Sequence, residues 1–246
     1  MPNIYLSPST QEANLYVTGG SEEYWMNLLA DELEPWLVSS GIRFTRNTPQ
    51  MTAGSSIRAS NAGNYDFHLA LHSNAAPEGR YGEFQGIIAF YAPNSVNGKR
   101  AAVLIAENLD TIYPYPAGAR AQSTTSLGEV TRTRAPAVLV EIAYHDNETD
   151  ANWITSNLEQ IAEKLALSMT EYFGVPLVPP MMQQTGKVAL QSGNLNIRNY
   201  PSTGGKIIGK APNNSVLTVL GSLDNWYTVN YNGTIGYANA DYIRLS

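Results

Sequence analysis

The stretch "APAVLVEIAYHDNETDANWI", residues 135–154, is the part of the chain from which its fold can be inferred. Its apolar run from Ala137 to Val140 has the composition of a buried strand, and the run ends on Glu141. His145 follows shortly after, before a segment with a helical pattern. A strand that brings a carboxylate and an imidazole out of the core together is a candidate for a functional site.

A second strand ends in a similar way. The segment "YDFHLALHSNAAPEG", residues 65–79, alternates apolar residues as far as Leu71 and then reaches His72. In open α/β sheets, ligand-binding and catalytic groups lie just beyond the carboxyl ends of the strands. His72, Glu141 and His145 therefore form a candidate site at one edge of a predicted sheet.

Strand-like and helix-like segments alternate along the first part of the chain. The first helix is predicted from Ser21, at the N-cap, to Gly41, a typical helix stop. The last helix of this part is predicted as one long segment over residues 150–174. Such alternation predicts an α/β fold with a mostly parallel sheet and helices on both faces.

The pattern changes after this part. An uncharged segment that contains prolines predicts a linker over residues 176–185. Short alternating strands follow, with turn signals at "PNNS" (212–215) and "YNGT" (231–234). We therefore divide the chain into an α/β domain over residues 1–175, the linker, and a small β-barrel over residues 186–246.

Composition and charge narrow the possible functions. The chain has 246 residues, no cysteine and three histidines, at positions 68, 72 and 145. Thiolate metal sites are excluded, and a transition metal would have to bind His and carboxylate side chains. The formal charge of −6 divides into +3 over residues 186–246 and −9 over the rest. An acidic body without a basic stripe argues against nucleic acid, and no apolar run approaches the roughly 20 residues of a membrane span.

The last part of the chain resembles a bacterial SH3 (SH3b) domain. The matching pieces are "LNIRNYPSTGGKIIGK", "SVLTVLG" and "NWYTVNYNGTIGYANADYI", and Gly236-Tyr237 stands where the family commonly has Gly-Trp. The resemblance implies an SH3-like barrel that holds an enzyme on peptidoglycan. Trp226, Tyr227 and Tyr237 could contact the wall, or they could be part of the barrel core.

The first part resembles the zinc-dependent N-acetylmuramoyl-L-alanine amidases. The matching pieces are a Glu that opens the first helix, "RASNAGNYDFHLALHSNA" and "PAVLVEIAYHDN". In this family a His and a Glu near the start of the domain bind zinc together with the His of a His-x-Asn-Ala motif, and a Glu that ends a late strand is the general acid/base. The resemblance assigns His72 and Glu22 as ligands, with Glu23 as runner-up to Glu22, and Glu141 as the catalytic carboxylate.

The first strand departs from the family pattern. The family strand usually ends in Asp-Pro-Gly-His-Gly, whereas "SPSTQ" places Thr10 where the first zinc His would be. This resembles a branch of the family that combines Ser-Pro-Ser-x-Gln with a His-Asp-Asn after the catalytic Glu. We therefore expect His145 to supply the missing imidazole, and Gln11 and Glu12 are the reserve candidates.

Strand geometry separates His68 from this ligand set. A strand rises about 3.3 Å per residue, which puts the backbone positions of His68 and His72 roughly 13 Å apart. Two ligands of one zinc, each near 2.1 Å from the metal, lie within about 4 Å of each other. We therefore expect His68 to support the site or the fold without binding the metal.

The resemblance implies a peptidoglycan hydrolase that cleaves the amide between N-acetylmuramic acid and L-Ala with a zinc-activated water. Two His and one Glu leave one tetrahedral position for that water, and Glu141 would take its proton and return it to the leaving amine. The expected partner is the peptidoglycan of a bacterial cell wall, outside the cell, and we expect a monomer.

Two alternatives stay open. One is a non-catalytic wall-binding protein with a degenerate amidase domain, and the other is a different peptidoglycan hydrolase on the same frame. The N-terminal segment "MPNIYLSPST" shows neither a basic nor an apolar signal region. We therefore expect release in the manner of a phage enzyme or a trimmed export signal, and both an autolysin and an endolysin fit.

Overall fold

The computed structural model describes all 246 residues of the chain, which form two compact units. The large unit comprises Asn3–Glu34 and Phe44–Tyr172, and the small unit comprises Met1–Pro2, Pro35–Arg43 and Phe173–Ser246. The predicted α/β elements lie mainly in the large unit, and the predicted barrel strands lie in the small unit.

Strands and helices alternate through the large unit, as the sequence predicts. They are β1 (Asn3–Pro8), α1 (Glu22–Ser39), β2 (Arg43–Arg46), α2 (Ala53–Ala62), β3 (Phe67–Asn74), β4 (Ile87–Tyr91), α3 (Val96–Asp110), β5 (Ala119–Ser123), α4 (Gly128–Thr131), β6 (Ala137–Tyr144), α5 (Glu148–Ser156) and α6 (Leu158–Phe173).

The six strands form one sheet in the order β2-β1-β3-β6-β4-β5. The pairs β1–β3, β3–β6 and β4–β5 are parallel, whereas β4 and β6 run antiparallel. The central strands β3 and β6 are buried along nearly their whole length, which accounts for the almost continuous apolar sequence of β6. Helices α3, α4 and α5 pack against β6. The predicted α/β fold with a mostly parallel sheet is confirmed.

The pairing of β3 with β6 places two candidate residues side by side. His72 pairs with Glu141 in this parallel ladder, so the two residues lie on neighbouring strands about 4.8 Å apart. Beyond this pair the register shifts, because β3 advances from His72 to Asn74 while β6 advances from Glu141 to Tyr144. The extra residue makes a β-bulge, and Ala143 inside it has a left-handed φ of 57°.

Two features of the large unit differ from the sequence-based expectation. The single closing helix is divided into α5 and α6, because Asn157 leaves the helical conformation at φ −130° and its side-chain amide donates to Trp153 O at 2.7 Å. The sequence also predicts neither β5 nor α4. Strand β5 is mostly exposed and lacks an apolar face, and the four-residue α4 is too short to show a helical period.

The small unit contains an antiparallel sheet of seven strands in the order β13-β7-β10-β11-β12-β8-β9. The strands are β7 (Pro180–Val188), β8 (Asn194–Arg198), β9 (Ile207–Pro212), β10 (Val216–Leu223), β11 (Trp226–Tyr231), β12 (Thr234–Asn239) and β13 (Ile243–Leu245). Both predicted turns are present: Asn214 has φ 67°, and Asn232 and Gly233 have φ 50° and 81°.

The strands of the small unit enclose an apolar core. Its buried residues are Val188, Leu195, Ile197, Ala211, Leu217, Val219, Val229, Ala238 and Ile243. Of the three aromatic residues singled out in the sequence, Tyr237 is fully buried, whereas Trp226 and Tyr227 are half-buried. The Tyr237 hydroxyl donates to Ser40 O at 2.7 Å within the same unit. Tyr237 is therefore part of the core and is not a wall contact.

The segment predicted as a linker, 176–185, is mostly ordered structure. Strand β7 begins at Pro180 and pairs with β10. The preceding Val178 is fully buried; its carbonyl oxygen accepts from the Ser39 hydroxyl and its N–H donates to the Ser40 hydroxyl. The absence of charge and the prolines indicate a semi-rigid linker, but an uncharged segment can equally be a strand of a sheet.

Candidate active site

The start of α1 holds Glu22 inside the large unit. Ser21 accepts from Tyr24 N at 3.1 Å and so begins the helix, as the sequence predicts. The Glu22 side chain is 1% exposed. Its Oε2 accepts from Asn14 Nδ2 at 2.6 Å, while its Oε1 lies 2.7 Å from His72 Nδ1. The neighbouring Glu23 makes no such contact, so Glu22 is the carboxylate that reaches the candidate site.

His72, at the end of β3, lies between two carboxylates. Its Nδ1 contacts Glu22 Oε1, and its Nε2 lies 3.1 Å from Glu129 Oε2. Burial by itself favours the neutral imidazole, but the hydrogen bonds to Glu129 and Glu22 outweigh it and raise the pKa of His72 to about 10. At neutral pH the imidazole is therefore protonated, with one N–H directed at each carboxylate.

Glu129 is a member of the site that the sequence does not reveal. It lies in α4, is 4% exposed, and its Oε1 accepts from the Ser7 hydroxyl at 2.6 Å. Burial opposes its ionisation, yet the hydrogen bonds from His68 and His72 lower the pKa of Glu129 to about 2. The segment "SLGEVT" around it has no pattern that distinguishes a buried carboxylate from an exposed one.

His68 contacts Glu129 and not Glu22. Its Nε2 lies 3.2 Å from Glu129 Oε1, its Nδ1 lies 3.0 Å from the Ser60 hydroxyl, and its ring stacks on Tyr5. A single carboxylate thus joins the two imidazoles of β3, although their backbone positions are far apart. His68 is placed behind His72, away from the open side of the site.

Glu141 has the electrostatic character of a proton carrier. It lies beside His72 in the sheet, and its Oε2 is buried without a hydrogen-bond partner. Burial raises the pKa of Glu141 to about 7; the charge of His72 acts in the opposite direction and that of Glu22 in the same direction. A carboxyl group that titrates near neutral pH can both take up and release a proton there.

His145 is placed next to Ser73 rather than at the Glu22–His72 pair. Its Nδ1 lies 3.0 Å from both Ser73 O and Ser73 Oγ, and its ring stacks on Tyr16 at a centroid distance of 5.3 Å. Because a carbonyl oxygen only accepts, Nδ1 carries the proton of this bond. His145 follows the bulge in β6, which changes the direction of the chain just before it.

The side chain of Gln11 contacts both Glu22 and His72, whereas that of His145 contacts neither. Its Nε2 lies 3.3 Å from each carboxylate oxygen of Glu22 and 3.4 Å from His72 Nδ1. Glu12, the other reserve candidate, is exposed like Gln11 but makes no contact with Glu22 or His72. No group of three or more His, Cys, Asp or Glu side chains is arranged to hold a metal. The structure thus brings together Glu22, His72 and Gln11, with Glu141 alongside.

A cleft of about 470 Å³ opens onto these residues. It is bounded by the loop after β1, by α2 and by the segment around α4. Its lining includes Ser9, Thr10, Gln11, Met51, His72, Leu127, Glu129, Arg132 and Glu141. The cleft gives a substrate access to His72 and Glu141 from one side of the sheet.

Two family models match the chain. A family model described as N-acetylmuramoyl-L-alanine amidase matches residues 10–171, and a bacterial SH3 domain model matches residues 193–244. No curated protein matches the chain.

Several solved structures share the fold of the α/β part. An N-acetylmuramoyl-L-alanine amidase from Clostridium difficile 630 is 15% identical, with a TM-score of 0.63 over 70% of this chain and 97% of that one. The catalytic domain of the amidase CwlV from Bacillus (Paenibacillus) polymyxa var. colistinus is 14% identical, with a TM-score of 0.62 over 72% and 100%. The catalytic domain of the CD27L endolysin is 20% identical, with a TM-score of 0.58 over 70% and 98%.

The amidase family model covers well over half of the chain and includes Glu22, His72 and Glu141. This chain therefore belongs to the N-acetylmuramoyl-L-alanine amidase family and is a peptidoglycan amidase with a bacterial SH3 domain after its α/β part.

Proposed function

We propose that the amidase uses zinc and that Glu141 is its general acid/base. One observation carries this proposal: a half-buried carboxyl group, with a pKa near 7 and a buried oxygen that has no partner, lines one cleft together with His72, the residue that Glu22 contacts. General acid/base groups work best when their pKa is close to the operating pH.

The donor atoms of Glu22 and His72 fit a zinc ion. Carboxylate oxygen and imidazole nitrogen are typical zinc donors, and ligands about 2.1 Å from a tetrahedral zinc lie about 3.4 Å from each other. Glu22 Oε1 and His72 Nδ1 are 2.7 Å apart, so they need to separate only slightly to share one ion. His72 Nδ1 must first release its proton, as a ligand nitrogen always does when a metal binds.

Glu129 prepares His72 for this role. It accepts the Nε2–H, so the lone pair of the neutral imidazole is on Nδ1, which faces Glu22. A carboxylate behind a ligand histidine fixes the tautomer and the orientation of the ring. Asn14 fixes the second oxygen of Glu22 in a comparable way, through its 2.6 Å hydrogen bond.

Two residues are candidates for the third ligand. The branch resemblance offers His145, whose Nδ1 is held by Ser73 and whose Nε2 would have to bind. Gln11 is the candidate that contacts Glu22 and His72.

A zinc ion held by Glu22 and His72 would supply Lewis-acid chemistry, which makes a water more acidic and polarises a carbonyl group. In its ionised form Glu141 takes a proton from the attacking water. It then gives that proton to the nitrogen of L-Ala as the amide to the lactyl group of N-acetylmuramic acid breaks. Glu141 Oε2 has no other hydrogen-bond partner, so it is free to accept and return this proton.

The small unit is proposed to bind the cell wall. A groove of about 400 Å³ on it is lined by Asn194, Asn196, Arg198, Trp226 and Tyr242, among others. Aromatic faces and amide groups suit sugars and peptides, and the net charge of +3 over residues 186–246 suits anionic wall polymers. We propose residues 1–175 as the catalytic domain, residues 186–246 as the wall-binding domain, and a monomer as the working state. No helix of the chain has the length and apolar character needed to cross a bilayer.

One observation favours a second candidate, a non-catalytic wall-binding protein. Thr10 occupies the position of a family ligand, and no group of three or more His, Asp or Glu side chains is arranged to hold a metal. The experiment that separates the two is digestion of purified peptidoglycan by the full-length chain. The amidase should release new N-terminal L-Ala without new reducing sugars, whereas a binding protein releases neither, and a glycosidase would release reducing sugars.

A further inference from the structure

We propose that the side-chain amide oxygen of Gln11 is the third ligand of the metal, beside Glu22 Oε1 and His72 Nδ1. This inference rests on the proposed zinc dependence. The inference adds to the proposed zinc dependence, because the family pattern does not predict a glutamine as a ligand. Gln11 also takes the role for which the sequence favours His145.

The three side chains form a triangle of the size that a tetrahedral ion requires. The Gln11 amide nitrogen lies 3.3 Å from Glu22 Oε1 and 3.4 Å from His72 Nδ1, and the latter two atoms are 2.7 Å apart. One face of a tetrahedral zinc site has edges of about 3.4 Å. The two distances from Gln11 therefore already match. The distance from Glu22 to His72 would lengthen when an ion replaces their direct hydrogen bond.

The amide group can present an oxygen at the same place. In this structure the Gln11 NH₂ group donates to the Glu22 carboxylate. The oxygen and nitrogen of an amide have nearly the same shape, and a half-turn about the last side-chain bond exchanges them. A cation between the three side chains would repel the Gln11 NH₂ group and attract the Gln11 amide oxygen. The Gln11 amide would therefore rotate by a half-turn when the cation binds.

The loop after β1 supports this position for Gln11. Ser9 Oγ accepts from Gln11 N at 3.2 Å, and Ser9 N donates to Leu71 O at 2.9 Å, which fastens the loop to the end of β3 next to His72. Thr10 stands where the family has its first ligand, and the next residue reaches the site instead. His145 has its hydrogen bonds to Ser73 and none to Glu22 or His72.

A Gln ligand has a consequence for affinity. A neutral amide oxygen is a weaker donor for zinc than an imidazole or a carboxylate. Gln11→His or Gln11→Glu should therefore bind zinc more tightly than the natural chain, by about tenfold or more. If Gln11 only supports Glu22 by donating to it, Gln11→Leu should cost no more than about 10- to 100-fold in zinc affinity, and Gln11→His should leave the cobalt spectrum unchanged.

The test is a zinc titration of the full-length chain against a competing chelator, together with the visible absorption spectrum of the cobalt-substituted protein. Gln11→Leu, of similar size but without a donor, should lose more than the 10- to 100-fold that supporting residues typically contribute. Gln11→Asn, which is one methylene shorter, should also bind weakly. Glu12→Ala is the matched neighbour control and should bind like the natural chain, and Gln11→His should shift the cobalt spectrum. Thermal unfolding of each variant verifies that it is folded.

Three outcomes decide the matter. Loss of binding in Gln11→Leu with gain in Gln11→Glu and Gln11→His supports the proposal. Natural affinity in Gln11→Leu together with strong loss in His145→Ala overturns it and makes His145 the ligand, while the zinc-dependent function stands. Absence of zinc binding by the natural chain overturns both the ligand assignment and the proposed zinc dependence.

Discussion

Glu129→Ala is expected to weaken both the fold and the metal site, because one buried carboxylate supports both. The substitution leaves the Nε2–H of His72, the imidazole of His68 and the Ser7 hydroxyl without their acceptor in the core. Removing one partner of a buried charged pair costs about 3–5 kcal/mol of unfolding free energy. Loss of the group that fixes a ligand histidine lowers metal affinity by about 10- to 100-fold.

The assays are urea unfolding of the zinc-free chain and chelator-competed zinc titration of the folded variant. Glu129→Gln is the conservative comparison. Its amide can turn its oxygen to His72 and its NH₂ to Ser7 and His68, so both losses should be smaller. Asp150→Ala is the control for a purely structural loss, since Asp150 is fully buried and accepts from Tyr113, Gly86 and Tyr144. It should reduce stability without changing zinc affinity. If Glu129→Ala binds zinc as tightly as the natural chain, Glu129 does not position His72.

Three further outcomes are expected. The unfolding free energy of the metal-free chain should fall as pH rises from 6.5 to 10, since His72 keeps its proton to about pH 10 when folded but only to its ordinary 6.5 when unfolded; a His72→Gln variant should lack that fall in urea unfolding. The unfolding free energy should also fall as pH drops from 4.5 towards 2, because Glu129 is ionised down to about pH 2 only in the folded chain. A flat profile in this range would contradict the pairing of Glu129 with His68 and His72. Removal of residues 178–246 should abolish pelleting with cell walls and keep turnover of a soluble muropeptide. The truncation should also lower the melting temperature, because the Ser39 and Ser40 carbonyls lose the hydrogen bonds that the Thr228 and Tyr237 hydroxyls donate to them. A folded but inactive truncation would show that the small unit helps to build the site.

The fold and half of the site could be predicted because they depend on local patterns. Buried apolar runs identify β3 and β6, and in parallel strands the residues that end such runs meet at one edge of the sheet. His72 and Glu141 follow directly from this rule. Glu22 was assigned by the family resemblance, which implies a Glu at the start of the first helix and left Glu23 as the runner-up.

The remaining features depend on contacts that no local pattern encodes. Glu129 is delivered by a helix of four residues, and its burial results from packing against β6. The position of His145 depends on the bulge around Ala143, and an extra residue in a strand cannot be recognised from apolar alternation. The position of Gln11 depends on the hydrogen bond that holds the loop after β1 against β3. Strand β7 could not be predicted, because the sequence of a short uncharged segment is compatible with both a strand and a linker.

The most direct test of the account is to measure zinc content and turnover together in Glu141→Gln. The proposed role places Glu141 beside the metal as a proton carrier and not as a ligand. The variant should therefore keep the zinc stoichiometry of the natural chain, while release of N-terminal L-Ala from peptidoglycan falls by about 10²- to 10⁴-fold. His72→Ala, measured in parallel, should lose the zinc itself. A Glu141→Gln variant that has lost its zinc, or that keeps both its zinc and its full turnover, would contradict the central claim.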